Sequence, residues 1–192
     1  MKKILVAITL LMFCIVPIGL FAENEAIDKG SVEFGLGTAF NLSLYSGNLE
    51  ATEFTFGSGG TWLSVGYFVT DKLSIGGYAY YWSWKYGGAT ESFNEFRIGP
   101  EVKYYIPVSE QVLVNLKGLF RIVSWEDPGD IDRSSRIWFG GGGAVTYLLT
   151  GNLGIYGGAD IMFSPNYKEE GTEVTDSSYT LIAVEVGFRV FL

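Results

Sequence analysis

The chain has no histidine. That absence removes Ser–His–acid and Cys–His nucleophilic sites and His-ligated zinc from consideration. The one cysteine, Cys14, lies inside an apolar N-terminal run, so the rest of the chain forms no disulfide. Lysine is also scarce: residues 30–192 contain only Lys72, Lys85, Lys103, Lys117 and Lys168. With 13 basic against 21 acidic residues and no basic patch, nothing argues for nucleic acid. After the N-terminal run, no apolar stretch is long enough for a membrane helix.

The N-terminus has the layout of an export signal. Lys2 and Lys3 precede an almost wholly apolar run, Ile4 to Phe21, and Leu20-Phe21-Ala22 offers a cleavage site before Glu23. Residues 1–22 are expected to be removed. The competing reading is a retained helix, against which Pro17 and Gly19 break the run near its end. A lipidated cysteine is disfavoured because Leu11-Met12-Phe13, not small residues, precede Cys14. Cleavage leaves 192 − 22 = 170 residues, about one domain, with residues 23–30 as a short periplasmic segment before a barrel over 31–192. Losing Lys2 and Lys3 leaves 11 basic against 21 acidic residues, a net charge of −10.

What is present is glycine (26 residues), aromatic side chains (16%) and alternation, a composition suited to strands and tight turns. The C-terminal segment shows the pattern best. Ile182, Val184, Val186, Phe188, Val190 and Leu192 alternate with Ala183, Glu185, Gly187, Arg189 and Phe191, so one face of a strand is apolar. In a soluble protein such a strand end is a hazardous edge, whereas in a closed barrel in lipid it pairs with the first strand. Eight such segments are predicted: 31–44, 61–69, 73–84, 92–106, 112–124, 136–149, 153–163 and 179–192. Most are long enough for a tilted membrane-spanning strand of about 9–11 residues. The connections alternate between tight turns (70–72, 107–111, 150–152) and longer, mostly polar loops (45–60, 85–91, 125–135, 164–178). Phe54 and Phe56 are placed to extend a strand within the first loop. The predicted fold is all-β: an eight-stranded antiparallel transmembrane β-barrel with short periplasmic turns and longer extracellular loops.

The segments GYFVTDKLSIGG (66–77), FRIGPEVKYYIPVSEQV (96–112) and FGGGGAVTYLLTGNLGIYGG (139–158) resemble the small outer-membrane β-barrel family, which includes opacity-type surface proteins and relatives of the X-type and A-type outer-membrane proteins. The resemblance covers essentially all of 30–192 and is one of pattern and turn phrasing. It implies a bacterial outer-membrane location and no enzymatic activity, since the barrel enzymes of such membranes rely on histidine. It also implies that the barrel assembly machinery reads the terminal strand, here through Val184, Val186, Phe188, Val190 and Leu192. Family members usually end in Phe, whereas this chain ends in Leu192 behind Phe191.

Opposite the apolar sets fall Glu33, Glu95, Arg97, Glu101, Lys103, Lys117, Arg121, Arg136, Asp160, Glu185 and Arg189, five acids and six bases. Such near-neutrality suits an ion-pair network inside a lumen, where an unpaired charge costs several kcal/mol. The same alternation fits a soluble, lipocalin-like barrel turned the other way. Against that stand the shortage of lysine and the glycines on the charged face (Gly35, Gly37, Gly99, Gly140, Gly142, Gly154, Gly158, Gly187), which suit a crowded interior. In the third strand, Tyr78, Tyr80, Trp82 and Trp84 share one parity and Leu73, Ile75, Ala79 and Tyr81 the other, so either set can face lipid. If the first set faces inward, its rings fill space left by glycines of the sixth and seventh strands; otherwise it joins an aromatic girdle. A stacking platform for sugars or protein partners is the functional alternative. A carboxylate pair such as Glu95 and Glu101 can in principle do acid–base work, but with Arg97 and Lys103 interleaved they read as a structural salt-bridge network.

Acidic residues cluster in the third loop (Glu126, Asp127, Asp130, Asp132) and the fourth (Glu169, Glu170, Glu173, Asp176). Their spacing matches no dedicated calcium loop, so they read first as a solvated surface and second as a weak cation or basic-partner site. The expectation is a monomeric structural or surface-interaction barrel without cofactor or metal. Its partners are outer-membrane lipid, the assembly machinery and an unidentified extracellular partner met through the loops. A narrow channel or a soluble carrier of an apolar ligand is the alternative. On the terminal strand, Arg at 186 or 188 is expected to impair assembly, and Ser at Gly187 to be milder than either.

Overall fold

The computed structural model describes residues 25–47, 54–84, 92–126, 134–164, 167–169, 172–174 and 177–192. The expected signal and cleavage site, most of the acidic loop residues, and the side chain of Trp84 lie outside the described residues. A 3-10 turn (Glu25–Ile27) precedes the strands β1 (Val32–Gly47), β2 (Phe54–Thr70), β3 (Leu73–Trp84), β4 (Phe93–Ser109), β5 (Val112–Glu126), β6 (Ser134–Leu148) and β7 (Leu153–Ser164). Two short strands follow, β8 (Tyr167–Glu169) and β9 (Thr172–Val174), and then β10 (Ser177–Phe191).

Eight of these strands form one antiparallel wall in the order β5-β4-β3-β2-β1-β10-β7-β6, and β5 pairs with β6 to close it. The closing seam is continuous: β1 meets β10 from Glu33↔Phe191 to Gly47↔Ser177 without a register shift. Val32 and Leu192 exchange backbone hydrogen bonds at 2.7 and 2.8 Å, so the last residue is tied in. The chain is therefore an eight-stranded closed antiparallel barrel, in which no strand of the wall is left as an edge.

Alternation decides what faces where. Leu36, Leu63, Ile75, Ile98, Ile122, Ile137, Ile155 and Phe188 are exposed on the outer wall, while their sequence neighbours of opposite parity are buried inside. Outside β3, the apolar residues of the sets read from the sequence that are described lie on that outer wall. In β3 the structure resolves the ambiguity: Tyr78 and Tyr80 are buried and Trp82 is half-buried inside, whereas Ile75 and Tyr81 face out. The glycines that rings cover differ from the expected ones. A Cβ at Gly60 would meet the Tyr80 ring at 2.6 Å, and one at Gly35 would meet Trp62 at 2.7 Å. The covered glycines thus belong to β1 and β2. Gly140 and Gly142 instead admit the backbone of β7.

The connections also differ in extent from the sequence reading. β1 runs to Gly47 and β2 starts at Phe54, with Leu42↔Phe56 and Leu44↔Phe54 in register, so most of the expected first loop is strand. The fourth loop contains the β8–β9 hairpin. The 107–111 turn shrinks to Glu110 and Gln111 because Pro107 sits inside β4 beside a bulge, a position that spares it a ladder donor. In the turn after β2, Lys72 has φ 71°, left-handed backbone held by its N–H bond to the Ile27 carbonyl at 2.9 Å.

At Gly187 the seam leaves no room for a side chain. Gly187 faces Gly37 across the seam. A Cβ there would strike the Leu36 carbonyl and lie 2.7 Å from the Gly37 Cα. Gly157, on the outer wall, has nothing within 4 Å of a Cβ. We expect Gly187→Ala to reduce the fraction of protein that migrates as the compact, unboiled form on a denaturing gel. Gly157→Ala should keep or slightly raise urea resistance, by up to about 1 kcal/mol. Equal behaviour of the two variants would contradict the close seam.

Candidate functional site

The lumen holds the chemistry-bearing side chains, and eight antiparallel strands leave an interior that side chains fill. Each strand contributes every second residue to it, so the site residues follow from parity. Charged groups form three sets from the turn end to the loop end.

At the turn end, Lys103 lies between two carboxylates, 2.8 Å from Glu33 and 2.5 Å from Glu101. Glu101 also meets Arg121 at 2.9 Å, and Arg189 lies 3.7 Å from Glu33. Tyr105 donates to Glu33 and accepts from Arg189. Ser74 donates to Glu33 at 2.9 Å. Glu33 is 0% exposed, and Lys103 and Arg121 are 1%. Arg121 has a second task. Gly99 and Pro100 make no ladder pair with β5, although the register continues on both sides. The Arg121 guanidinium donates to the Pro100 carbonyl at 2.9 Å and so satisfies an acceptor beside the proline interruption.

In the middle, Lys117 is shared by two carboxylates, Asp160 at 2.8 Å and Glu185 at 2.7 Å. Tyr156 donates to Glu185 at 2.8 Å. The second Asp160 oxygen makes no hydrogen bond. It occupies the space that a Cβ at Gly142 would need.

Towards the loop end, Arg97 pairs with Glu95. Arg97 stacks over Tyr80 (4.4 Å to the ring centroid), and Arg136 stacks over Trp125 (4.6 Å). Trp82, Glu95 and Trp125 face one another across three strands. The aromatic rings knit the sets together: Arg121 lies over Tyr78 at 4.0 Å, Arg189 over Tyr156 at 4.2 Å, and Trp62 packs edge-on to Tyr156 at 5.4 Å. Cations over ring faces in a dry interior are worth about 2 kcal/mol or more each.

Of the eleven charged residues read from the sequence, ten take part in these ion pairs, and Arg136 is held by its ring contact. Glu95 and Glu101 are not brought together as an acid–base pair; each is held by its own cations. The sequence reading missed Tyr105, Tyr156, Ser74 and Trp62. Tyr105, Tyr156 and Trp62 continue parities already assigned inward, Tyr105 after Glu101 and Lys103, and Tyr156 between Gly154 and Gly158, whereas Ser74 lies in β3, whose parity the sequence left open. Val184, Val186 and Phe188 lie exposed on the outer wall, Leu192 is exposed at its end, and Val190 is half-buried. Among the described residues no group of three metal-ligating side chains converges.

No family model matches the chain, and no curated protein does. Solved structures do. Neisserial surface protein A aligns over 84% of this chain and 99% of its own, with 18% identity and a TM-score of 0.62. The outer membrane protein OprG from Pseudomonas aeruginosa aligns over 88% of this chain and 99% of its own, with 10% identity and a TM-score of 0.58. At these identities the likeness is one of fold: this chain has the fold of the small eight-stranded outer-membrane barrels.

Removing one member of a buried set leaves the others uncompensated. Lys117→Met is therefore expected to cost about 3–5 kcal/mol in urea unfolding from detergent or lipid. Adding Asp160→Asn and Glu185→Gln to Lys117→Met should restore much of that loss, because the uncompensated charge is then gone. A single-variant cost below about 1 kcal/mol, the range of exposed pairs, would contradict the dry lumen.

Proposed function

We propose that this chain is a bacterial outer-membrane barrel that acts as a structural or surface-interaction protein through its loops, with a lumen closed by paired charges. One observation carries the reading: the inside-out pattern. The outer wall is a continuous apolar surface, with Leu36, Leu63, Ile98, Ile137 and Phe188 each about half-exposed or more, whereas the charges are within. Water penalises that arrangement and hydrocarbon favours it. Tyr67, Tyr104 and Tyr147 are exposed on the outer wall near the turns, where an interfacial aromatic girdle belongs. A soluble, lipocalin-like carrier requires the opposite polarity, an apolar interior around its ligand. Neither solved relative described above carries more than the fold, so the role rests on this chain's own residues.

The lumen argues against transport. Its cross-section is crossed by Glu33–Lys103–Glu101–Arg121 at one level and Asp160–Lys117–Glu185 at another, and a permeant ion would have to displace pairs that hold each other. Function is then left to the loop side, where the acidic residues of the third and fourth loops and the short β8–β9 hairpin lie. The acidic sequence of these loops is suited to a basic partner. Assembly proceeds by the barrel assembly machinery reading Val184, Val186, Phe188, Val190 and Leu192. The closed wall has no free strand edge, so the reading includes a monomer. Its location follows export, with residues 1–22 removed.

Fractionation of cells with detergent extraction tests the location: the protein is expected in the outer membrane, with different gel mobility before and after boiling. Purified protein in planar bilayers at moderate salt is expected to show no stable single-channel steps. Deletions within 48–53, 127–133 or 165–176 should alter cell-surface binding, while Glu101→Ala and Arg121→Ala should not. Reproducible steps altered by those two lumen substitutions would replace the surface reading with transport.

A further inference from the structure

The residues just before β1 do more than lead into the barrel. Ala26 and Ile27 are buried, Ile27 to 1% exposure, in one cluster with Phe68, Tyr105, Leu113, Leu148 and Phe191. Those partners come from β2, β4, β5, β6 and β10, strands on all sides of the barrel. The segment is fastened at successive points. The Lys72 N–H donates to the Ile27 carbonyl at 2.9 Å, and Gly30 N–H to the Phe68 carbonyl at 2.9 Å. Lys29 N–H donates to the Asp71 carboxylate at 3.0 Å, and Phe68 N–H to the Ser31 carbonyl at 2.9 Å. Directly above the cluster stands the polar layer, since Tyr105 belongs to both: its ring packs 5.3 Å from Phe68 and 6.0 Å from Phe191, and its hydroxyl meets Glu33 and Arg189.

We infer that residues 25–31 form a plug that closes the turn-side mouth of the barrel and denies water-soluble solutes access to the Glu33–Tyr105–Arg189 layer. The physical need is specific. The charge pairs of the lumen are strong only where water is excluded, and the Glu33 pairs are the ones next to the turn-side mouth. An apolar side chain seated among five strands supplies that exclusion. The exposed Asp28, Lys29 and Gly30 keep the outer surface of the segment polar. The plug deepens the closed-lumen reading, but it is tested at one mouth, whereas conductance tests the whole passage. A barrel can therefore lack conductance and still fail this test.

The test uses thiol accessibility in the full chain carrying Cys14→Ser, folded in detergent and verified by heat-modifiable mobility. A small, charged, water-soluble maleimide is the probe. Leu113→Cys is expected to label slowly, and adding Ile27→Gly should raise its rate about tenfold or more, the signature of lost local protection. An unchanged rate in a folded double variant would overturn the plug. If Ile27→Gly prevents folding, the seat itself is read: Ile27→Cys should label at least about tenfold more slowly than the exposed Lys29→Cys in the folded barrel. Equal rates at those two positions would overturn the inference.

Discussion

Everything in this molecule depends on the pairing of its first strand with its last. β1 and β10 run in unbroken register from Glu33↔Phe191 to Gly47↔Ser177, and without that seam the sheet would present two long rows of unpaired N–H and C=O groups. Closing it needs the two backbones to come close where the barrel wall faces inward, and the Gly37–Gly187 pair permits this because neither residue has a Cβ. The seam also fixes what the lumen can be. Eight strands enclose a space about one layer of side chains across, so every inward residue must touch others from across the barrel. Glu33 and Lys103 meet at 2.8 Å from β1 and β4, and Lys117 and Glu185 at 2.7 Å from β5 and β10.

That narrowness explains why charge and aromatic rings share the interior. A carboxylate or guanidinium in a dry space needs a partner, and a long side chain reaching across needs a surface to lie on. Tyr78, Tyr80 and Tyr156 serve as those surfaces for Arg121, Arg97 and Arg189. The glycines are the complement: rings lie where Gly35 and Gly60 leave room, and Asp160 leans into the space at Gly142. Large and small inward residues are matched in pairs, and a lumen of uniformly medium side chains would satisfy neither the charges nor the seam.

The fold was legible because its signal is repeated eight times with period two, and a single slip would have turned an entire strand over. The charged lumen residues were legible for the same reason, since charge opposite Val, Ile and Leu marks parity without ambiguity. Legibility failed where both parities carry rings. In β3, neither Tyr78–Tyr80–Trp82 nor Ile75–Tyr81 is charged, and only the cross-strand partners Arg97 and Glu95 show which set turns inward. Strand ends were missed where turn residues lie within strands: Pro107 is absorbed by a bulge, and the Tyr45–Gly47 stretch continues β1 on its pairing with Ser177–Tyr179. The tightness at Gly187 was invisible because it depends on the residue opposite, Gly37, and register between the chain's two ends is not encoded locally.

The two ends of the barrel solve the same problem differently, and the difference follows from chain connectivity. At the turn side, tight connections such as Asp71–Lys72 and Glu110–Gln111 are too short to fold over the mouth. The segment available to cover it is the one that enters β1, and Ile27 lies there among five strands. Towards the loop side, Trp82, Trp125 and Arg136 of the strands are half-buried. An apolar stopper is therefore placed where short turns cannot cover the lumen, and amphipathic, partly wet side chains are placed where the chain meets its surroundings. The two ends of one eight-stranded wall thus differ in polarity, and the asymmetry needs no residue beyond those that alternation already places.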